Sequence, residues 1–254
     1  MARFDGKVAL ITGAGSPKGI GRATAMALAA EGAKIVITDI AADGVARVAE
    51  ELRAYAHTEV LGEVADVRRK ADMLRVVERA TAAFGGVDLL VNNAGLTRPT
   101  TFLDISEDEY DLVLDVNLKG TFITTQAVVP AMLARGSGAI VSLSSVSGQR
   151  GGGVFGSSHY SAAKAGIMGL TKALARELTP QGIRVNCVAP SMIDTEISGG
   201  RFPEEARNAS ASAALIGRLG APDDVVRGIL FLLSDDAGYL TGVTLDINGG
   251  SHLH

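Results

Sequence analysis

Apolar and polar positions along the chain fall into two alternating patterns. Short continuous apolar runs of strand length recur at Val8–Thr12, Lys34–Asp39, Val60–Val64, Leu89–Val91, Ala139–Leu143, Ile183–Ala189 and Thr244–Ile247. Between them lie longer stretches in which apolar residues return every three or four positions, the spacing of one helix face. These predict helices over 22–30, Asp43–Tyr55, Arg69–Phe84, Glu107–Leu133, His159–Leu178 and Asp223–Leu233. The strand runs are apolar throughout rather than every second residue, as expected when helices cover both sheet faces. No Pro/Ser-rich linker or charge run interrupts the alternation. The expectation is a single α/β domain over 1–254, a doubly wound parallel sheet flanked by helices.

The first strand runs into Thr12-Gly13-Ala14-Gly15-Ser16-Pro17-Lys18-Gly19-Ile20-Gly21, and a helix follows. Strand, glycine turn and helix form the start of a dinucleotide-binding fold. The glycines let the backbone approach a pyrophosphate, and the helix N-terminus offers unpaired N–H groups and a positive dipole end. An ordinary flexible turn is the competing reading. Asp39 ends the second strand, eighteen residues after Gly21. An acidic side chain there accepts bonds from the adenosine ribose hydroxyls and repels a 2′-phosphate, which favours NAD over NADP. It could instead cap the next helix. Lys18 argues the other way, because a cation in the phosphate loop suits a phosphorylated cofactor.

Tyr160 and Lys164 stand four apart in a predicted helix, so they share a face. A cation beside a phenol favours the phenolate and lowers its pKa. A phenol so tuned can exchange a proton with a substrate oxygen. Alone the spacing is common in soluble helices. Ser145 upstream and the opening glycine loop give it weight.

Taken together these motifs resemble the short-chain dehydrogenase/reductase family in its form of about 250 residues, from Lys7 to about Gly250. The resemblance rests on the glycine loop, Asp66-Val67, Asn92-Asn93-Ala94-Gly95, Asn117, Ser145, the Tyr160/Lys164 pair, Arg184-Val185-Asn186 and Ala189-Pro190, in that order. It implies a Rossmann-type fold and reversible hydride transfer between NAD(P) and a secondary alcohol or ketone. Tyr160 would be the acid/base. Lys164 would tune it and bind the nicotinamide ribose, and Ser145 would bond the substrate oxygen. Asn117 would hold a water that links Lys164 to solvent. Gly13, Gly15, Ser16, Lys18, Gly19, Ile20 and Asp39 would bind the cofactor, with Asp66 and Val67 at the adenine and Asn93 and Gly95 along the trough. Ile193 and Thr195 would reach the carboxamide and phosphates. Ser144 is expected to face away from Ser145, since strand neighbours alternate.

The chain departs from the family pattern in three places. Five residues, not three, separate Gly13 from Gly19; Gly151–Gly156 lengthens the path from Ser145 to Tyr160; and Ser191 stands where the family has glycine. A substrate lid is expected at Glu196–Leu215, with Arg201 and Phe202 as contacts, and Arg150 and Gly151–Gly153 beside the site. The family also implies a homotetramer. Its interfaces would be the Glu107–Leu133 and His159–Leu178 helices and the Thr241–Gly250 segment.

Composition adds mainly exclusions. Net charge is −4, with no basic patch, so nucleic acid and anionic membranes are not expected partners. No apolar run approaches the roughly 18 residues of a membrane span. The N-terminus lacks a signal-peptide core, so a cytoplasmic location is expected. The single cysteine, Cys187, is expected to be a small buried residue, and the four scattered histidines predict no metal site. His159 would begin a helix, and His252 and His254 would form a frayed tail. Few aromatics point to a polar small-molecule substrate such as a polyol or hydroxy acid. Two rivals remain: a 3-oxoacyl-carrier-protein reductase using NADPH, and a non-catalytic nucleotide-binding sensor. The latter has no need of the Asn117, Ser145, Tyr160 and Lys164 set.

Overall fold

The computed structural model describes residues 2–56, 58–153, 156–195 and 204–253. Seven parallel strands form one sheet in the order β3-β2-β1-β4-β5-β6-β7. They are β1 Val8–Thr12, β2 Lys34–Asp39, β3 Val60–Val64, β4 Leu89–Asn92, β5 Gly138–Leu143, β6 Ile183–Pro190 and β7 Thr244–Ile247. All seven expected strands are present, within one residue at each end. The chain winds outward from β1 through β2 to β3, then returns to pair β4 with the other side of β1. This reversal opens a crevice at the carboxyl ends of β1 and β4, where ligands bind in such sheets.

Two helical layers bury the sheet, which is why the strands are apolar on both faces. One layer holds α1 (Ile20–Ala30), α2 (Ala42–Ala56) and α9 (Pro222–Leu233), packing Leu28, Val48, Leu52 and Ile229 against Ile11, Ile35 and Ile37. The other holds α3 (Lys70–Phe84), α5 (Gly120–Arg135) and α7 (Ser158–Leu178), packing Met73, Val76, Val128 and Met132 against Leu10, Val36 and Leu90.

The expected helix Glu107–Leu133 is not one regular helix. It consists of α4 (Glu107–Leu114), a π-helical turn at Asp115–Lys119, and α5. The turn carries Asn117, and such bulges accompany functional sites. Two further helices had no sequence expectation: α6 (Val146–Arg150) and α8 (Glu204–Ala213), the latter inside the expected lid. Residues 196–203 of that lid, with Arg201 and Phe202, lie outside the described residues, as do Val154, Phe155 and His254.

The Arg184-Val185-Asn186 motif belongs to the scaffold. Arg184 donates to the carbonyls of Leu232 (2.6 Å), Leu233 (3.1 Å), Ser234 (2.9 Å) and Ala237 (3.2 Å), satisfying the orphan acceptors at the end of α9. Asn186 donates to Leu240 O at 3.0 Å and accepts from Val243 N at 3.1 Å, which aligns β7 with β6.

Candidate active site

A cavity of about 680 Å³ lies along the carboxyl ends of the strands. Its first wall is the glycine loop. Gly13 has φ 64°, and a Cβ there would stand 2.6 Å from Ala94 Cα, so only glycine permits this approach of β1 to β4. Asn93 Nδ2 donates to Thr12 O and Gly13 O, each at 2.8 Å, and ties the two strand ends together. Gly19 precedes α1 as a cap with no side-chain bond, which leaves the first N–H groups of α1 for a ligand. Gly13, Ser16, Gly19 and Ile20 line the cavity, followed by Asp39, Asp66, Val67, Asn93 and Gly95. This donor-rich cradle, too tight for a side chain at Gly13, fits a dinucleotide pyrophosphate.

Two expected cofactor residues do not line the cavity. Gly15 is buried, and its N–H is held by Asp39 Oδ2 at 2.8 Å. Lys18 is exposed, and its charge acts instead on Asp194. The longer loop carries Lys18 out toward solvent. Asp66 lines the wall, but its carboxylate is already gripped by Arg68, from Nε at 3.0 Å to both oxygens and from Nη2 at 2.6 Å. That bond holds the Asp66 carboxyl below its usual range. Arg68 had no sequence expectation, since an arginine two residues after an aspartate is an ordinary surface pattern.

The opposite wall carries Ser145, Tyr160 and Lys164. Ser145 caps α6 through Ser147 N, which donates to its Oγ at 3.1 Å. Ser144 lies beyond the end of β5 and lines the same cavity as Ser145, and its Oγ donates to Lys164 O at 2.7 Å. Lys164 Nζ donates to Leu143 O at 2.8 Å and stands 5.6 Å from the centre of the Tyr160 ring. Asn117 sits behind the wall, fully buried, with Nδ2 donating to Leu96 O and Val113 O at 2.8 Å each. Its Oδ1 has no hydrogen-bond partner among the described residues. A Cβ on Gly95 would lie 2.8 Å from that oxygen and 3.5 Å from Lys164 Nζ, so both groups converge there.

The pKa of Tyr160 runs opposite to the sequence expectation. Burial pushes the phenol up to about 12, and a hydrogen bond with Ser145 only partly opposes this. The side chain is densely surrounded by protein although its surface keeps some access to the cleft. Burial also drives Lys164 down to about 8, so the cation meant to favour the phenolate is itself driven toward neutrality.

Ile193 and Thr195 complete the cavity beyond β6, and Ala209, Ser210 and Ala213 bring α8 to its edge. These last three fall inside the lid expected at Glu196–Leu215, whereas Leu96, Thr97, Leu112 and Val116 had no sequence expectation. They are small or apolar side chains without a chemical signature.

Comparison with known proteins agrees with this geometry. A family model described as enoyl-(acyl carrier protein) reductase matches residues 13–252. An uncharacterized short-chain type dehydrogenase/reductase of Sinorhizobium fredii is 44% identical over 251 residues, 99% of each chain. A 3-oxoacyl-[acyl-carrier-protein] reductase of Thermotoga maritima is 43% identical over 98% of each chain. The crystal structure of levodione reductase superposes with a TM-score of 0.91 at 36% identity, covering 98% of both chains. No helix among the described residues is long and apolar enough to cross a membrane. The chain belongs to the short-chain dehydrogenase/reductase family and is an oxidoreductase acting on the CH–OH/C=O pair.

Proposed function

We propose that the protein interconverts a polar secondary alcohol and its ketone by hydride transfer with NAD(P), using Tyr160 as the proton-transfer group. The observation that carries this reading is the placement of Ser145, Tyr160 and Lys164 on one wall, facing a cradle suited to a dinucleotide. The cofactor supplies the hydride; the protein orients and stabilises. In reduction, Ser145 Oγ donates to the substrate carbonyl oxygen and Tyr160 delivers its proton to that oxygen. In oxidation the phenolate takes the hydroxyl proton. Pushed up to about 12, the phenol holds its proton at neutral pH, the form that donates in reduction. Lys164 reaches the nicotinamide ribose, and the free Oδ1 of Asn117 accepts from a water that connects Lys164 with solvent. Gly13, Ser16, Gly19, Ile20, Asn93, Gly95, Ile193 and Thr195 hold the cofactor, and the 204–215 segment is the described part of a substrate lid.

NAD is the preferred form on this reading. Asp39 lines the cavity at the end of β2, while Lys18 points to solvent and does not offset its charge. The 3-oxoacyl-[acyl-carrier-protein] reductase relatives support the second reading, reduction of a carrier-bound oxoacyl group with NADPH. A homotetramer is also proposed. Tyr110 and Phe122 are partly exposed along α4 and α5, and Tyr239 is fully exposed before β7. A monomer seen by light scattering at micromolar concentration would refute that assembly.

The deciding experiment replaces Tyr160 with Phe. Turnover should fall by at least ~10²-fold, the scale of general acid–base catalysis, with fold and NADH affinity nearly intact. Near-normal turnover would remove the phenol from the mechanism.

A further inference from the structure

Among the described residues the cavity lining contains five charged side chains: Asp39, Asp66, Arg68, Lys164 and Arg150. Four have assigned work. Asp39 holds Gly15, Asp66 and Arg68 hold each other, and Lys164 is buried on Leu143 O. Arg150 is different. It is exposed, it stands on the Ser145 side of the cleft, and among the described residues its hydrogen bonding is a long bond from Nη1 to Ser251 O at 3.4 Å. Among the described residues no carboxylate pairs with it. Its chain neighbour Gln149 holds Asp246 at 2.6 Å, and Asp246 does not line the cavity.

The backbone around Arg150 is built rather than loose. Gly151, Gly152 and Gly153 follow it with φ of 71°, 65° and 116°, three successive conformations that side chains resist. The turn is fastened at both ends. Gly151 N donates to Ser147 O at 3.0 Å, Gly152 N to Ser161 Oγ at 3.0 Å, and Ser161 Oγ to Gly156 O at 3.2 Å. A Cβ on Gly153 would lie 3.8 Å from Arg150 Nη2 and 3.9 Å from Ser147 Oγ, so the turn brings its backbone against both groups. The result is an alcove lined by Arg150, Ser147, Gly153 and Ser251, opening on the cleft. Ser147 N donates to Ser145 Oγ, so the alcove adjoins the group that meets the reacting oxygen.

We propose that this alcove is an anion subsite and that the substrate is a short hydroxy acid or the matching oxo acid, held by its carboxylate. The proposal rests on the oxidoreductase reading above and narrows its substrate. A guanidinium presents a planar fork that matches a carboxylate, and Ser147 adds a neutral donor beside it. One unpaired positive charge among the described residues matches one singly charged group, which favours carboxylate over phosphate. A neutral polyol would leave the guanidinium without a partner.

The test compares acetoacetate with methyl acetoacetate, and pyruvate with methyl pyruvate, alongside neutral ketones such as 2-butanone and cyclohexanone. Each is assayed with the full-length protein and both NADH and NADPH. The free acid should exceed its ester in kcat/KM by roughly tenfold or more, the discrimination expected of charge-assisted hydrogen bonds. Arg150→Met should bring that ratio close to one, and Arg150→Lys should leave it intermediate, since the charge stays and the fork goes. Esters used as well as acids, or an acid-to-ester ratio unmoved by Arg150→Met, would overturn the subsite. Reduction of neutral ketones but of neither acid would also overturn it, while leaving the reaction class standing. If no ketone were reduced with either cofactor, the reaction reading would fall and the subsite with it.

Discussion

Asp39 Oδ2 accepts the backbone N–H of Gly15 at 2.8 Å, so the acid that ends β2 also closes the glycine loop. Its other oxygen accepts from Ala41 N at 3.1 Å. From the far side, Arg47 Nη2 donates to Gly15 O at 2.8 Å, which fixes the next peptide of the same residue from α2. Charge alone predicts that Asp39→Ala exchanges NAD for NADP. The hydrogen bond predicts more. Asp39→Ala should release Gly15, costing about 1–2 kcal/mol, and should weaken NADH and NADPH together. Asp39→Asn keeps an acceptor for Gly15 while removing the charge, so it should move preference toward NADPH with a smaller total loss. Fluorescence titration of both variants with both cofactors separates these effects. If Asp39→Ala bound NADPH more tightly than the unmodified protein does, the Gly15 contact would be dispensable.

Lys164 and Tyr160 make stability depend on pH in opposite senses. Lys164 falls from 10.5 unfolded to about 8 folded, so between those values the unfolded chain holds more protons and stability rises with pH. Tyr160 rises from 10 to about 12, so its contribution is complete below 10 and is lost as pH climbs toward 12. The two windows barely overlap. Between pH 8 and 9.5 the cofactor-free protein should gain on the order of 1–2 kcal/mol against urea, a pKa unit being worth about 1.4 kcal/mol. Lys164→Met should abolish that gain. A gain of the same size in Lys164→Met would assign it to another group.

The strands were legible because most are short runs rich in apolar and β-branched residues, while the outer strands β3 and β7 are only partly buried and carry Glu63 and Asp246. Asp39, Ser145, Tyr160 and Lys164 were legible because their types and spacings are chemically unusual together. What the sequence hid depends on three dimensions. The π-helical turn at Asp115–Lys119 keeps a helical pattern and differs only in which carbonyls are bonded. Arg68 on Asp66 and Asp39 on Gly15 are contacts that need loop coordinates. The direction of the Tyr160 shift was misread for a related reason: the lysine was visible in sequence, whereas the burial that outweighs it was not.

His159, one residue before Tyr160, joins three elements through a chain of hydrogen bonds. Its Nε2 lies 3.1 Å from Glu109 Oε1 on α4, and its Nδ1 lies 2.8 Å from Ser157 Oγ. Ser157 Oγ in turn donates to Arg98 O at 2.6 Å, in the loop that continues from the cavity-lining Leu96 and Thr97. A carboxylate only accepts, so the hydrogen of the Glu109 contact sits on Nε2. The His159 side chain itself is wholly buried. Removing one member leaves its partner's polar atom without that hydrogen bond. Glu109 keeps a quarter of its side-chain exposure, which moderates the penalty. His159→Ala should then destabilise by about 2–3 kcal/mol, the scale of losing a buried side chain together with its hydrogen bonds. Glu109→Gln should cost less, since an amide oxygen still accepts from Nε2–H. In a double-mutant cycle the two changes should couple by about 0.5 kcal/mol or more, because they share one network. Urea denaturation of the four proteins measures this, and strict additivity would show that the His159–Glu109 contact contributes nothing to the fold.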